Sequence, residues 1–234
     1  TGQDHFSYDT AGLPEEQVQH FSGYYILGRA ALDRANEWWF NSETKTVYYM
    51  PPEKKDPNSM DLRGRVQDFG IELDRCTGIE IRGLHFHASG FWLKECDAVS
   101  VRDCSFDYPA THRFLQGQFQ YVAPWNPSSN GNFMPSFFGG NQNSFVNNTV
   151  RWCNAPVYFG SEEMVIENCL FSDIEWDVNS SGGSGAVMIG KNSVFRRNTL
   201  TRCGNSEGVR AVDEGTTLTH NRLSKMSTLQ HDGS

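Results

Sequence analysis

Acidic residues near the end of the chain form the pattern with the clearest chemical meaning. Asp213 and Glu214 stand together in VRAVDEG, and Asp232 follows 19 residues after Asp213 in LQHDGS. If they occupy equivalent positions in neighbouring strands, their carboxylates lie on the order of 5 Å apart. That separation suits the acid/base and the nucleophile of a retaining glycosidase, and close like charges raise the pKa of one carboxyl. The alternative interpretation is a turn in which an Asp accepts hydrogen bonds from backbone amides.

Further residues could bind a sugar by stacking or hydrogen bonding. His231 adjoins Asp232 and could donate to a sugar or transfer a proton. Residues 109–135 carry side chains suited to stacking on sugar rings and to binding hydroxyls or carboxylates, namely His112, Arg113, Tyr121 and Trp125. Trp92, Lys94 and Arg210 are predicted to border a groove. The structural alternatives are a loop packed by its own aromatics and ordinary solvated side chains.

Other chemistries have little support. There is no G-x-S-x-G motif, phosphate-binding loop or His–Glu zinc motif, and the cysteines lack zinc-ligand spacing. We therefore predict neither a metal nor another cofactor. The net charge of −8 disfavours nucleic acid as a partner, because binding phosphates requires clustered Lys and Arg. No apolar run approaches 18 residues, so no membrane span is predicted. Asp173, Glu175 and Asp177 are interpreted as a solvated acidic loop.

A repeat must position these residues. An Asn, Asp or Gly recurs in short apolar runs at intervals of 20, 45, 20, 30 and 23 residues, at Gly83, Asp103, Asn148, Asn168, Asn198 and Asn221. A base period of about 20 to 23 residues with strand-like content predicts a solenoid. The two long intervals predict insertions, at about residues 109–135 and 175–185. The six cysteines recur in three registers and are predicted to be buried thiols rather than disulfides.

Each coil is predicted to hold one strand about ten residues before the repeat position and a second strand flanking it. The outer face of the first strand is predicted to present Glu72, Trp92, Phe137, Val157, Val187 and Arg210. Because its middle residues are apolar, the insertions are expected to cover this face. Gly140, Gly160 and Gly190 are predicted to share one register at the bend after this strand, where the sixth coil has Asp213 instead.

A hairpin is predicted before the repeats, because EWWFN and TVYYM are aromatic and β-branched runs separated by the polar SETK. The whole element, LD…EWWF…T…VYYMPP from Leu32, resembles the entry segment of bacterial right-handed parallel β-helix proteins, many of which degrade polysaccharides. The resemblance extends to the end of the chain and fixes no single enzyme family. It implies an all-β protein with a leader at residues 1–65 that caps a right-handed parallel β-helix of about six coils at residues 66–234.

The resemblance and the acidic residues together predict a secreted or periplasmic bacterial carbohydrate-active enzyme. The leading hypothesis is a glycoside hydrolase that cleaves an oligo- or polysaccharide with Asp213 or Glu214 and Asp232. One alternative is a polysaccharide lyase that acts on a uronic-acid glycan by β-elimination, with Lys94, Arg210 or His112 as the basic residue. Another is a non-catalytic glycan-binding or structural β-helix.

The C-terminal end of the solenoid carries a further expectation. Solenoid ends need caps, and the sequence stops where a seventh coil would begin. Another chain or missing residues are therefore expected to complete that end, and a fragment without part of its catalytic residues would be inactive.

Overall fold

The computed structural model of the protein describes residues 29–64, 69–110, 136–175, 185–204, 207–211 and 214–228. The chain divides into two compact units, with the boundary between Gly64 and Arg65. No helix in the described ranges is long and apolar enough to cross a membrane.

The first unit contains the predicted hairpin. Strands β1 (Trp38–Asn41) and β2 (Thr46–Tyr49) pair antiparallel, and the Trp39 and Tyr48 rings lie 5.5 Å apart between centroids. Asn41 Oδ1 closes the turn by accepting from the backbone N–H groups of Glu43 and Thr44 at 2.9 and 3.1 Å. Short 3-10 turns flank the hairpin at Arg29–Ala31, Pro52–Lys54 and Pro57–Ser59. The hairpin is confirmed, and its capping role stays a prediction.

The second unit is a solenoid of six coils, each with three strands. Equivalent strands of successive coils pair in parallel and form three six-stranded sheets. Sheet I contains β3 (Phe69–Asp74), β6 (Gly90–Lys94), β9 (Ser136–Asn141), β12 (Val157–Glu162), β15 (Val187–Ile189) and β18 (Val209–Ala211). Sheet II contains β4 (Glu80–Arg82), β7 (Ser100–Arg102), β10 (Ser144–Val146), β13 (Val165–Glu167), β16 (Val194–Arg196) and β19 (Thr217–Thr219). Sheet III contains β5 (His85–His87), β8 (Ser105–Asp107), β11 (Thr149–Cys153), β14 (Leu170–Ile174), β17 (Thr199–Thr201) and β20 (Arg222–Ser224).

The core runs along the solenoid axis, because each strand turns alternate side chains inward and parallel pairing aligns them between coils. Sheet II contributes one continuous inward row of Ile81, Val101, Phe145, Ile166, Phe195 and Leu218. Phe145, Phe171 and Phe195 stack successively, with 6.3 and 6.2 Å between ring centroids. All six cysteines are free thiols, and five of them are buried, which agrees with their prediction as small hydrophobic residues.

Three details of the predicted alignment are wrong. Each coil has three strands because the segment that flanks the repeat position divides at a corner into a sheet II strand and a sheet III strand. Phe137, Val157 and Val187 face the core and are fully buried, whereas the outer row reads Glu72, Trp92, Ser136, Tyr158, Met188 and Arg210. Gly160 pairs with Phe138, because a register shift separates it from Gly140.

The predicted repeat position also corresponds to two successive positions in the structure. At the corner between sheets II and III, one residue has left-handed backbone with φ of 53 to 67°, and these residues are Gly83, Asp103, Asn147, Asn168, Arg197 and His220. The residue that follows each of them begins the passage into sheet III, and the row reads Leu84, Cys104, Asn148, Cys169, Asn198 and Asn221. Asn148 and Asn198 are buried there and bond to the backbones of neighbouring coils.

Candidate functional site

The outer face of sheet III gathers polar and aromatic side chains. One row of outward residues pairs from coil to coil in the order His87, Asp107, Arg151, Ser172, Thr201 and Ser224. The next residue in every coil has a φ between 53 and 57°, and we call this set the corner row: Ala88, Tyr108, Trp152, Asp173, Arg202 and Lys225. Parallel pairing spaces these side chains about 4.8 Å apart along the solenoid axis.

Asp107 is the centre of a charged cluster in coils 1 to 3. Its Oδ2 lies 3.1 Å from His85 Nε2, and Arg151 donates from Nε to Oδ1 at 3.0 Å. The Asp107 side chain is mostly buried, whereas those of His85 and Arg151 are partly exposed. The carboxylate is therefore fixed in position at the edge of an accessible surface.

Tyr108 and Trp152 form an aromatic platform beside this cluster. Their rings are stacked with 5.0 Å between centroids and 16° between planes. Tyr108 is 45% exposed and Trp152 37%. Arg151 lies over the Trp152 ring with Cζ 5.0 Å from its centroid. The His87 and Tyr108 rings are nearly perpendicular, with 5.8 Å between their centroids. Because the two rings face each other and Arg151 lies over Trp152, the pair exposes mainly ring edges, bordered by hydrogen-bonding groups that can bind a sugar.

An ion pair continues the corner row. Arg202 donates from Nε and Nη2 to the two carboxylate oxygens of Asp173, each at 2.6 Å, and from Nη2 to Ser172 Oγ at 2.6 Å. The hydrogen bond from Arg202 lowers the pKa of Asp173 below its usual range. The predicted solvated loop is thus wrong for Asp173, and also for Glu175, whose side chain is fully buried, while Asp177 lies outside the described residues. Burial raises the pKa of the Cys203 thiol to about 12, and the charge of Glu175 acts in the same direction.

The predicted binding residues on sheet I are only partly brought together. Trp92 and Lys94 lie on one face of β6. The Trp92 ring packs against the Phe69 and Phe138 rings, with 5.7 and 6.1 Å between ring centroids. Arg210 is on the same outer row but four strands further along, which corresponds to about 19 Å. These three residues therefore do not form one compact site.

Most of the remaining predicted residues lie outside the described ranges. They are His112, Arg113, Tyr121, Trp125, Asp213, His231 and Asp232. Glu214 is described and exposed, and its backbone carbonyl accepts from the Asn192 N–H at 3.0 Å. The proposed carboxylate pair stays a prediction. Within the described ranges, no group of three or more His, Cys, Asp or Glu side chains is placed to hold a metal ion.

Sequence reasoning missed the Asp107 cluster and the aromatic platform, although a signal was present. Aligned on the left-handed corner residue, HFHA, SFDY and TVRW place His87, Asp107 and Arg151 in one column and Tyr108 and Trp152 in the next. Using Asn148 in place of Asn147 as the repeat position shifted the third coil by one residue. That shift hid both columns.

Comparison with known proteins agrees with the architecture. A family model described as the right handed beta helix region matches residues 136–230, which include coils 3 to 6. The solenoid is a right-handed parallel β-helix. No curated protein and no solved structure matched the chain. The β-helix match supports the fold family and leaves the activity and the source of the protein as proposals.

Proposed function

We propose that this β-helix is a carbohydrate-active enzyme, a secreted or periplasmic glycoside hydrolase that binds an oligo- or polysaccharide along the outer face of sheet III. The observation that carries the proposal is the exposed Tyr108–Trp152 platform beside the fixed carboxylate of Asp107. The exposed parts of the two rings can pack against the apolar side of a sugar, while the planar guanidinium of Arg151 and the imidazole of His85 can bind its hydroxyls. The repeated strands offer a polymer the same spacing over several coils.

Asp107 is the candidate catalytic carboxylate on this face. A carboxyl group at the edge of the platform can act as a general acid/base or as a nucleophile towards a stacked sugar. Hydrolysis also requires a second carboxyl group or an activated water on the opposite side of the ring. Asp213, Glu214 and Asp232 remain the alternative proposed catalytic set.

Amide substitutions separate these possibilities. The full chain is incubated with a panel of oligo- and polysaccharides, and new reducing ends are measured for Asp107→Asn, Asp213→Asn, Glu214→Gln and Asp232→Asn. Loss of a catalytic carboxyl group should lower the rate by about 100-fold or more. Asp103→Asn is the matched control, because Asp103 is in the same coil and ion-paired with Arg82, but at the corner after sheet II. Full turnover in all four variants would exclude this hydrolase mechanism.

A polysaccharide lyase is the second candidate. The observation that favours it is Lys94 beside Trp92 on the outer face of sheet I, because β-elimination requires a base near the bound sugar. Arg210 and His112 are the other proposed basic residues. A lyase would give an unsaturated product that absorbs in the ultraviolet, whereas hydrolysis would not. Glycan binding without either product would indicate a non-catalytic β-helix.

A further inference from the structure

The outer face of sheet III becomes rich in exposed cationic side chains in its last two coils. Arg222 pairs with Thr199 and points outward, while Arg202 and Lys225 occupy successive positions of the corner row. All three side chains are exposed. They therefore present three cations within two neighbouring coils, about one strand spacing apart along the axis.

The charge of this surface is not balanced locally. Asp173 neutralises Arg202 through two hydrogen bonds of 2.6 Å, but the described residues place no carboxylate within ion-pair distance of Arg222 or Lys225. Among the described residues, two positive charges therefore remain on this face of a chain whose net charge is −8. A surface of that sign favours an anionic ligand.

Hydroxyl groups surround these cations. Thr199, Thr201 and Ser224 lie on the same outer face, and Ser224 Oγ donates to Thr201 Oγ1 at 3.2 Å. The surface is in line with the aromatic platform, since Trp152 and Lys225 belong to one corner row and are three strand spacings apart, or about 14 Å. One sugar ring cannot span that distance, but an oligosaccharide can.

We infer that the glycan on sheet III is an acidic one, whose carboxylate or sulfate groups bind Arg222 and Lys225 while another of its rings packs against Tyr108 and Trp152. The inference rests on the proposed function of this face and adds the chemical class of the substrate. A uronic acid and a sulfate ester supply the same anionic oxygens, and the two are separated by experiment.

The test measures binding of the full chain to immobilised neutral, uronate and sulfated oligosaccharides, at low and at high salt. The variants are Arg222→Gln/Lys225→Gln and Tyr108→Ala/Trp152→Ala. Lys45→Gln/Lys54→Gln removes two exposed cations from the leader instead and is the matched control for charge. We expect acidic glycans to bind more tightly than neutral ones, with an advantage that falls as salt is raised. Arg222→Gln/Lys225→Gln should lower affinity for acidic glycans about five- to tenfold. The control variant Lys45→Gln/Lys54→Gln should bind them as tightly as the unmodified chain.

The outcomes distinguish the two proposals. A preference for uronate or for sulfate that is lost in Arg222→Gln/Lys225→Gln supports the inference and identifies the anion. If Tyr108→Ala/Trp152→Ala weakens binding while Arg222→Gln/Lys225→Gln changes nothing, the inference is wrong and glycan binding on sheet III stands. If the unmodified chain binds no glycan, the proposed function is itself wrong.

Discussion

Buried asparagine side chains hold successive coils together at the corner between sheets II and III. Asn148 Oδ1 accepts from the backbone N–H of Cys104, and its Nδ2 donates to the carbonyl of Val101, both at 2.8 Å. Asn198 makes the equivalent bonds to Cys169 and Ile166 at 2.9 and 3.0 Å. These amides satisfy backbone groups that the bend removes from the sheet ladders.

We predict that Asn148→Ala lowers the free energy of unfolding by about 2 to 4 kcal/mol, because it leaves a buried N–H and a buried C=O without their partner. Chemical denaturation measures the change. Thr149→Ala alters the next residue, which faces outward, and should cost less than about 1 kcal/mol. Equal losses in the two variants would contradict a special role for the amide.

The Asp173–Arg202 pair predicts a pH-dependent contribution to stability. The pKa of Asp173 is lowered in the folded chain, so the stabilisation is present above the unfolded value near 3.9 and is lost as pH falls through the folded value. At pH 7, Arg202→Gln should reduce the free energy of unfolding by about 0.5 to 1 kcal/mol, since Arg202 is half exposed. The deficit should vanish by about pH 2. Arg222→Gln is the control and should show no such pH dependence.

At the scale of the strand, equivalent positions in one row should contribute differently to the free energy of unfolding, depending on their coil. Ile166 and Leu218 both face inward from sheet II, but Ile166 is 0% exposed and Leu218 is 47% exposed. Burial determines how much apolar surface a truncation returns to water.

We predict that Ile166→Ala costs about 3 to 4 kcal/mol and Leu218→Ala less than about 1.5 kcal/mol. Equilibrium unfolding monitored by circular dichroism compares the two variants directly. Similar costs would mean that the last coil is buried in solution, for instance by association between chains.

The repeat period, the hairpin and the parallel β-helix could be predicted because each depends on patterns that recur in the sequence. The outer row of sheet I could not, since inward Val157 and Val187 alternate with the equally apolar Tyr158 and Met188. The Asp107 cluster was missed for another reason. Asn occupies both corner positions in coil 3, at Asn147 and Asn148, and sequence alone does not tell which one has left-handed backbone.

At the scale of the molecule, the β-helix gains most of its stability from contacts between neighbouring coils. Each central coil pairs with a coil on either side, whereas the strands of the first coil, β3 to β5, and of the last coil, β18 to β20, have one neighbour each among the described strands. A solenoid of this kind opens from its least supported coils.

Hydrogen exchange measured by mass spectrometry should therefore show a gradient. We expect the slowest exchange in β10, β11, β13 and β14, and faster exchange in β4 and β5 at one end and in β19 and β20 at the other. Uniform protection across all six coils would contradict opening from the ends.

The corner row has a consequence for how specificity can vary. Its six members are all different residue types, yet their φ angles stay between 53 and 57°. The backbone conformation is thus set by the coil and not by the side chain that the coil presents. Each coil therefore presents one variable side chain at this corner, and these side chains are spaced about 4.8 Å apart along the axis. Under the proposed function, a substitution in the corner row would change the contact with one sugar unit and leave the spacing of the other contacts unchanged.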